Sequence, residues 1–154
     1  MVSYEGTFSG SSKPWILFDK SVLADECLKN VKMLLKKNRN LLYVSDRRDA
    51  QEKNRRLNRE FADDYGILHD DYIAMLNQLT AMDCIDISPN RNSDFPKVLV
   101  YEFRRQYGNL CYYGDPVEEP VDVYIKLYIN NDASYQSRDP AYAYGHVVVI
   151  SFHA

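Results

Sequence analysis

The stretch Val121-Asp122-Val123-Tyr124-Ile125-Lys126-Leu127-Tyr128-Ile129 decides how the chain is read. Val121, Val123, Ile125, Leu127 and Ile129 take every second position, and Asp122, Tyr124, Lys126 and Tyr128 fall between them. A period of two belongs to a β-strand with one face on a core and the other toward solvent. Such a strand needs neighbours for its backbone N–H and C=O groups, and the flanking sequence supplies them. Val147 to His153 alternates Val148, Ile150 and Phe152 with Val147, Val149, Ser151 and His153, and Lys97 to Arg105 has the same period. Both predict strands. Leu41 to Val44 predicts a short one, whereas Ser88-Pro89-Asn90-Arg91-Asn92-Ser93 predicts an exposed loop. The acidic connector Asp115 to Pro120 and the tyrosine-rich connector Asn130 to Gly145 are long enough to be functional or mobile.

Toward the N-terminus the period lengthens. From Ser21 to Lys37, Ala24, Cys27, Leu28, Val31, Leu34 and Leu35 recur at steps of three and four, which predicts an amphipathic helix. Asn38-Arg39-Asn40 ends it, with asparagines that tolerate the left-handed conformation. Asp46 to Tyr65 predicts a second, largely solvated helix whose apolar set is Leu57, Phe61, Ala62 and Tyr65, with Gly66 as its stop. A third is expected from Asp70 or Asp71 to about Leu79. The fold class is α+β, with N-terminal helices packed on one face of a small antiparallel sheet. Residues 1–14, with Gly6, Gly10 and a serine cluster, read as a flexible arm before a single domain over 15–154.

Composition narrows the function classes. A chain of 154 residues and 18.0 kDa, 45% hydrophobic and 27% charged, fits one globular domain. No apolar run reaches the roughly 18–20 residues that span a bilayer, and no signal-like segment opens the chain, so a cytoplasmic protein without membrane contact is expected. Cys27, Cys84 and Cys111 are widely spaced, which speaks against a disulfide framework or a cysteine-built zinc site. A net charge of −3 lacks the broad basic footprint of a nucleic-acid binder, so any such site must be local. Phosphate-loop, dinucleotide and zincin motifs are missing, and His69, His146 and His153 are dispersed; neither a cofactor nor a metal is expected.

What remains is Tyr124 and Lys126 on the polar face of one strand and His153 at the end of another. These residue types suit cleavage of an RNA phosphodiester without metal. One group must take the 2′-hydroxyl proton, a cation must stabilise the phosphorane, and an acid must protonate the departing 5′ oxygen. Histidine is the side chain suited to acid or base work near neutral pH, which gives His153 that role, while Lys126 supplies charge and Tyr124 can orient or relay a proton. Tyrosine and lysine also occupy exposed strand faces for no reason beyond packing. Arg47, Arg48, Lys53, Arg55, Arg56 and Arg59 form a basic run that can hold phosphates or serve as an ordinary solvated helix face. Tyr107, Tyr112 and Tyr113, just before the acidic connector, and Tyr135, Tyr142 and Tyr144, in the second connector, can stack on bases, line a protein interface or cover the core.

Val123-Tyr124-Ile125-Lys126-Leu127 followed by Val147-Val148-Val149-Ile150-Ser151-Phe152-His153 resembles the MqsR-like mRNA interferase toxins of type II toxin–antitoxin systems, which end in a V-Y-[IL]-K strand and a V-[IV]-S-F-[KH] strand. Asp64-Tyr65-Gly66-Ile67, Leu79-Thr80 with Asp83, and Arg47-Arg48 are similar to further elements of that family. The resemblance covers about residues 41 to 153. It implies a RelE-like fold, single-stranded mRNA as substrate, a cognate antitoxin as partner, and catalytic roles for Tyr124, Lys126 and His153. Arg47 and Arg48 would contact RNA; independently of the resemblance, alternation along paired strands predicts Arg104 or Arg105 at the rim of the site. Two family positions differ: Cys84-Ile85-Asp86 replaces a basic segment, and no glutamine stands near Val98 to Tyr101. With the acidic charge, these departures keep a second expectation open, a non-catalytic inhibitor that binds a basic, nucleic-acid-binding host protein.

Overall fold

A computed structural model describes residues 14–45, 52–90, 98–131, 138–140 and 143–154, the side chains of 14–19 and 52–56 excepted. Residues 1–13 of the expected arm lie outside these, and Pro14 already opens a helix, where its missing N–H costs nothing. This helix, α1 (Pro14–Lys37), therefore starts seven residues before Ser21. It buries Ala24, Cys27, Leu28, Val31 and Leu35, most of the predicted stripe. Its end is not left-handed as expected. Asn38 is extended (φ −156°), and its Oδ1 accepts from Asn40 N (2.9 Å), capping a short 3-10 turn that leads into β1 (Leu42–Val44).

The next helix, α2 (Glu52–Tyr65), stops at Gly66, whose φ of +61° suits a residue without a Cβ. Ile67 N donates to Ala62 O (2.9 Å), and Ile67 is buried, so Tyr65-Gly66-Ile67 is a helix-ending motif with its usual hydrophobic follower. The following α3 (His69–Asn77) has the carboxylate of Asp71 accepting from Leu68 N (2.8 Å) at its start. Leu79-Thr80 with Asp83 is also local architecture: Asp83 Oδ2 accepts from Thr80 N (2.8 Å) and closes a second 3-10 turn.

Six strands follow: β2 (Cys84–Pro89), β3 (Leu99–Tyr107), the short hairpin β4 (Cys111–Tyr112) and β5 (Asp115–Pro116), β6 (Val121–Ile129) and β7 (Val147–His153). The main sheet has the order β1-β7-β6-β3-β2, antiparallel except where β1 runs parallel to β7. Strand β2 corrects the loop expected at Ser88 and Pro89. Its one-residue irregularity between Cys84 and Asp86 breaks the alternation by which a strand is read. The expectation of N-terminal helices also holds only in part, because β1 separates α1 from α2 and the helices reach Asn77, midway along the chain.

All three helices bury side chains in one core with Ile87, Phe103, Val123, Ile125, Leu127, Val147, Val149 and Phe152 of the sheet. Cys27 and Cys84 are free thiols inside this core, and burial pushes Cys27 up to about 12. The opposite face is not uniformly open. At one end Val98, Val100, Tyr128 and Val148 form a second buried cluster, with Tyr43 and Ile150 against it.

Candidate active site

Alternation along β6 sends Val123, Ile125 and Leu127 to the helices, so Tyr124 and Lys126 point to the other face. On one side β3 places Arg104 opposite Tyr124 and Glu102 opposite Lys126. On the other, β7 places His153 opposite Tyr124 and Ser151 opposite Lys126. A regular β7 would not do this. Val147 and Val149 lie in the helix-side core, and a strict period of two would put Ser151 and His153 there as well. Lys126 pairs with Ser151 while Leu127 pairs with Val149, so Ile150 is an extra residue, a β-bulge. Ile150 and Ser151 both turn to the open face, Phe152 returns to the core, and His153 comes up beside Tyr124.

The Tyr124 and His153 ring centroids are 5.6 Å apart. The Tyr124 hydroxyl donates to Glu102 Oε1 (2.7 Å), and the Arg104 guanidinium carbon stands 5.5 Å from the Tyr124 ring centre. Burial first, and then the hydrogen bond to Glu102, raise the Tyr124 phenol above the ordinary tyrosine range, so it stays protonated. Nδ1 of His153 lies 3.0 Å from the Ala154 carbonyl oxygen, while Nε2 is buried without a partner. Of the two ring nitrogens, only Nδ1 has a hydrogen-bonding partner. Lys126 is half-buried and makes no ion pair among the described residues, and Arg104 pairs with Asp122 (3.0 Å). Ion pairs among the described residues thus leave the lysine charge uncommitted.

The structure brings Tyr124, Lys126, His153 and Arg104 together but separates Arg105 from them. Arg105 lies opposite Val123 on the helix-covered face and pairs with Asp83 (3.1 Å), in reach of the Tyr107 ring. Arg47 and Arg48 lie outside the described residues, as do the side chains of Lys53, Arg55 and Arg56. Of the connector tyrosines, Tyr107 is buried and donates to Met75 O (2.6 Å), covering the core, whereas Tyr112 and Tyr113 are exposed. Tyr135 and Tyr142 fall outside the described residues.

Two residues that sequence reasoning passed over belong to the assembly. Glu102 reads as one more strand residue until β3 is aligned with β6. Asn58 lies in the charge-rich α2, yet it is three, four and seven residues from Phe61, Ala62 and Tyr65; an asparagine on a helix's apolar stripe is the signal. Two cavities, of about 280 Å³ beside Val44, Asn58 and Tyr72 and about 250 Å³ beside Cys27 and Tyr101, lie away from Tyr124 and His153. Among the described residues, no group of three or more His, Cys, Asp or Glu is placed to hold a metal ion, and no helix is long and apolar enough to cross a membrane. No protein-family model, curated protein or solved structure matches the chain, so the site rests on its own geometry.

Proposed function

We propose that this chain is the RelE-fold, MqsR-like toxin of a type II toxin–antitoxin pair, a metal-independent endoribonuclease acting on single-stranded mRNA in the cytoplasm. The observation that carries this reading is the row Arg104, Tyr124 and His153 beside the row Glu102, Lys126 and Ser151, spread over three strands of one sheet face. A donor, an acceptor and a cation stand together, as the reaction requires. The ribose 2′-hydroxyl attacks phosphorus; its proton passes to the Tyr124 oxygen as the phenolic proton moves to the Glu102 carboxylate. Lys126, with Arg104 at the rim, stabilises the extra negative charge on the phosphorane oxygens. As the P–O5′ bond breaks, protonated His153 gives its Nδ1 proton to the leaving oxygen. The products are a 2′,3′-cyclic phosphate and a 5′-hydroxyl, and water later returns the site to its starting protonation.

The test is incubation of the purified protein with a long mRNA in excess chelator, alongside expression in a host. Cleavage with cyclic-phosphate ends and growth arrest that a neighbouring-gene antitoxin relieves are expected. RNA intact after hours, together with normal growth, rejects the reading. The second reading is a non-catalytic inhibitor of a basic host protein, favoured by the hairpin that presents exposed Tyr112 and Tyr113 beside exposed Asp115, Glu118 and Glu119. It requires intact RNA and recovery of a basic, nucleic-acid-binding partner from host lysate.

A further inference from the structure

We propose that Asn58 is a positioning residue: its side-chain amide holds the bulge of β7 in place and thereby fixes His153 on the open face opposite Tyr124. The consequence for cleavage rests on the function proposed above; the placement itself does not.

Asn58 is 3% exposed, deep between α2 and the sheet. Its Nδ2 donates to Ser45 O (3.0 Å) and Ile150 O (2.8 Å), and its Oδ1 accepts from Phe152 N (2.8 Å). Both donors and the oxygen are thus engaged, which is the condition for keeping a buried amide. Two of the three partners flank the turn of phase in β7. Where Ile150 is inserted, the strand holds one residue more than β6 can pair, and β1, which runs beside β7 only as far as Val149, leaves the backbone beyond that point without cross-strand partners on its side. The amide of Asn58 replaces those partners from outside the sheet. The third bond, to Ser45, ties the same amide to the end of β1, whose Ser45 N donates to Val149 O (2.8 Å).

The alternative state of β7 is definite. Without the bulge, the strand continues with a period of two from Val149, so His153 falls under the helices and Phe152 emerges. A one-residue change of register therefore exchanges the proposed proton donor for a phenyl ring. Asparagine is a poor residue for a helix interior, and an apolar side chain at 58 would extend the stripe of Phe61, Ala62 and Tyr65. The polar choice is explained by the bulge.

The experiment uses the full chain and Asn58→Leu, similar in size but unable to hydrogen-bond. Nuclear magnetic resonance reads the through-space contact between the Tyr124 and His153 rings and the exchange rate of the Phe152 amide, both without RNA. The folded variant should lose the ring contact, and Phe152 exchange should rise by at least about tenfold, while the amides of Val123 and Leu127 stay protected. Cleavage should fall by at least about tenfold, and Asn58→Leu combined with His153→Ala should be no slower than His153→Ala alone, because both remove one proton-transfer step. A folded variant that keeps the ring contact overturns the proposal, as do cleavage losses that multiply. Should the leucine variant not fold, Asn58→Ala, which removes the amide without adding bulk, is measured in the same way; unchanged ring contact and unchanged Phe152 exchange there overturn it too. If the unaltered protein leaves RNA intact, the proposed function fails while the resonance measurements still decide the role of Asn58.

Discussion

The face of the sheet turned away from the helices has two halves built from the same three strands, and they have opposite characters. Toward one end, Val100 of β3, Tyr128 of β6 and Val148 of β7 are each 5% exposed or less, and they close into an apolar cluster with Val98. Toward the other, Glu102 and Arg104 of β3, Tyr124 and Lys126 of β6 and His153 of β7 remain partly open. The division falls at the β7 bulge: Val148 and Ile150 join the apolar half, Ser151 and His153 the polar half. One half contributes burial, which holds the strands together, and so the other can carry charge, a buried imidazole nitrogen without a partner and a desolvated phenol. Stability and chemistry are separated along the strands rather than between the two faces.

That separation is most directly broken by a pair of substitutions. His153→Ala should lower RNA cleavage by about 100-fold or more, the usual share of a positioned general acid, and leave the melting temperature nearly unchanged. Val148→Ala should do the reverse. It removes two buried methyl groups and so costs about 2 kcal/mol with the cavity left behind, read as a lower urea midpoint, while cleavage by the folded fraction is unaltered. Equal stability losses in both variants, or lost cleavage in Val148→Ala, would mean that the halves are one unit.

A titration sharpens the comparison. Tyr101, Tyr107 and Tyr124 are all raised above the ordinary tyrosine range, with burial the largest cause in each. Tyr113, exposed and donating to Asp64, is instead raised to about 12 chiefly by that hydrogen bond. A raised phenol favours the folded state while it is neutral. Stability from these groups is therefore full below the unfolded tyrosine value of about 10 and is lost as pH rises above it. Ultraviolet titration should show the raised set, Tyr101, Tyr107, Tyr113 and Tyr124, ionising late or together with unfolding. In Tyr124→Phe the late component should shrink by one tyrosine, and cleavage should drop because the link to Glu102 is gone. An early-titrating Tyr124 would show that the polar half is far wetter than its packing indicates.

Much of this arrangement was legible in the residues. The alternation of Val121 to Ile129 assigned both faces of β6, and the stripe of α1 named the residues that it buries. Phase along β7 was not legible, because Val147 to Ile150 are all apolar and a run without contrast does not reveal where a residue is inserted. The bulge appears only when β7 is laid against β6 and when Asn58, 92 residues before Ile150, is seen to hold it. Glu102 escaped for a related reason, since a carboxylate acquires its role from the hydroxyl opposite it, two strand positions off the direct pair. The stop at Gly66 was legible because it acts on neighbours within four residues, whereas α1 starts at Pro14 and not at Ser21 and ends without a left-handed asparagine.

The smallest effect contrasts two adjacent arginines that the sequence alone treats as equivalent. Arg104 and Arg105 point to opposite faces of β3 because side chains alternate. Arg104 and Asp122 are 47% and 51% exposed, so their ion pair is screened and Arg104→Gln should change stability by no more than about 0.5 kcal/mol. Its loss should instead appear in RNA binding, measured with a non-cleavable 2′-deoxy-substituted strand. The slope of log affinity against log salt should become shallower by about one unit as one phosphate contact is lost. Arg105 is 32% exposed and its partner Asp83 17%, and that carboxylate also holds the turn at Thr80. Arg105→Gln should therefore cost about 1–2 kcal/mol, in the range for a hydrogen bond to a charged group, and leave the salt slope as it was. An equal change of slope in both variants would place RNA across the edge of the sheet instead of on its open face.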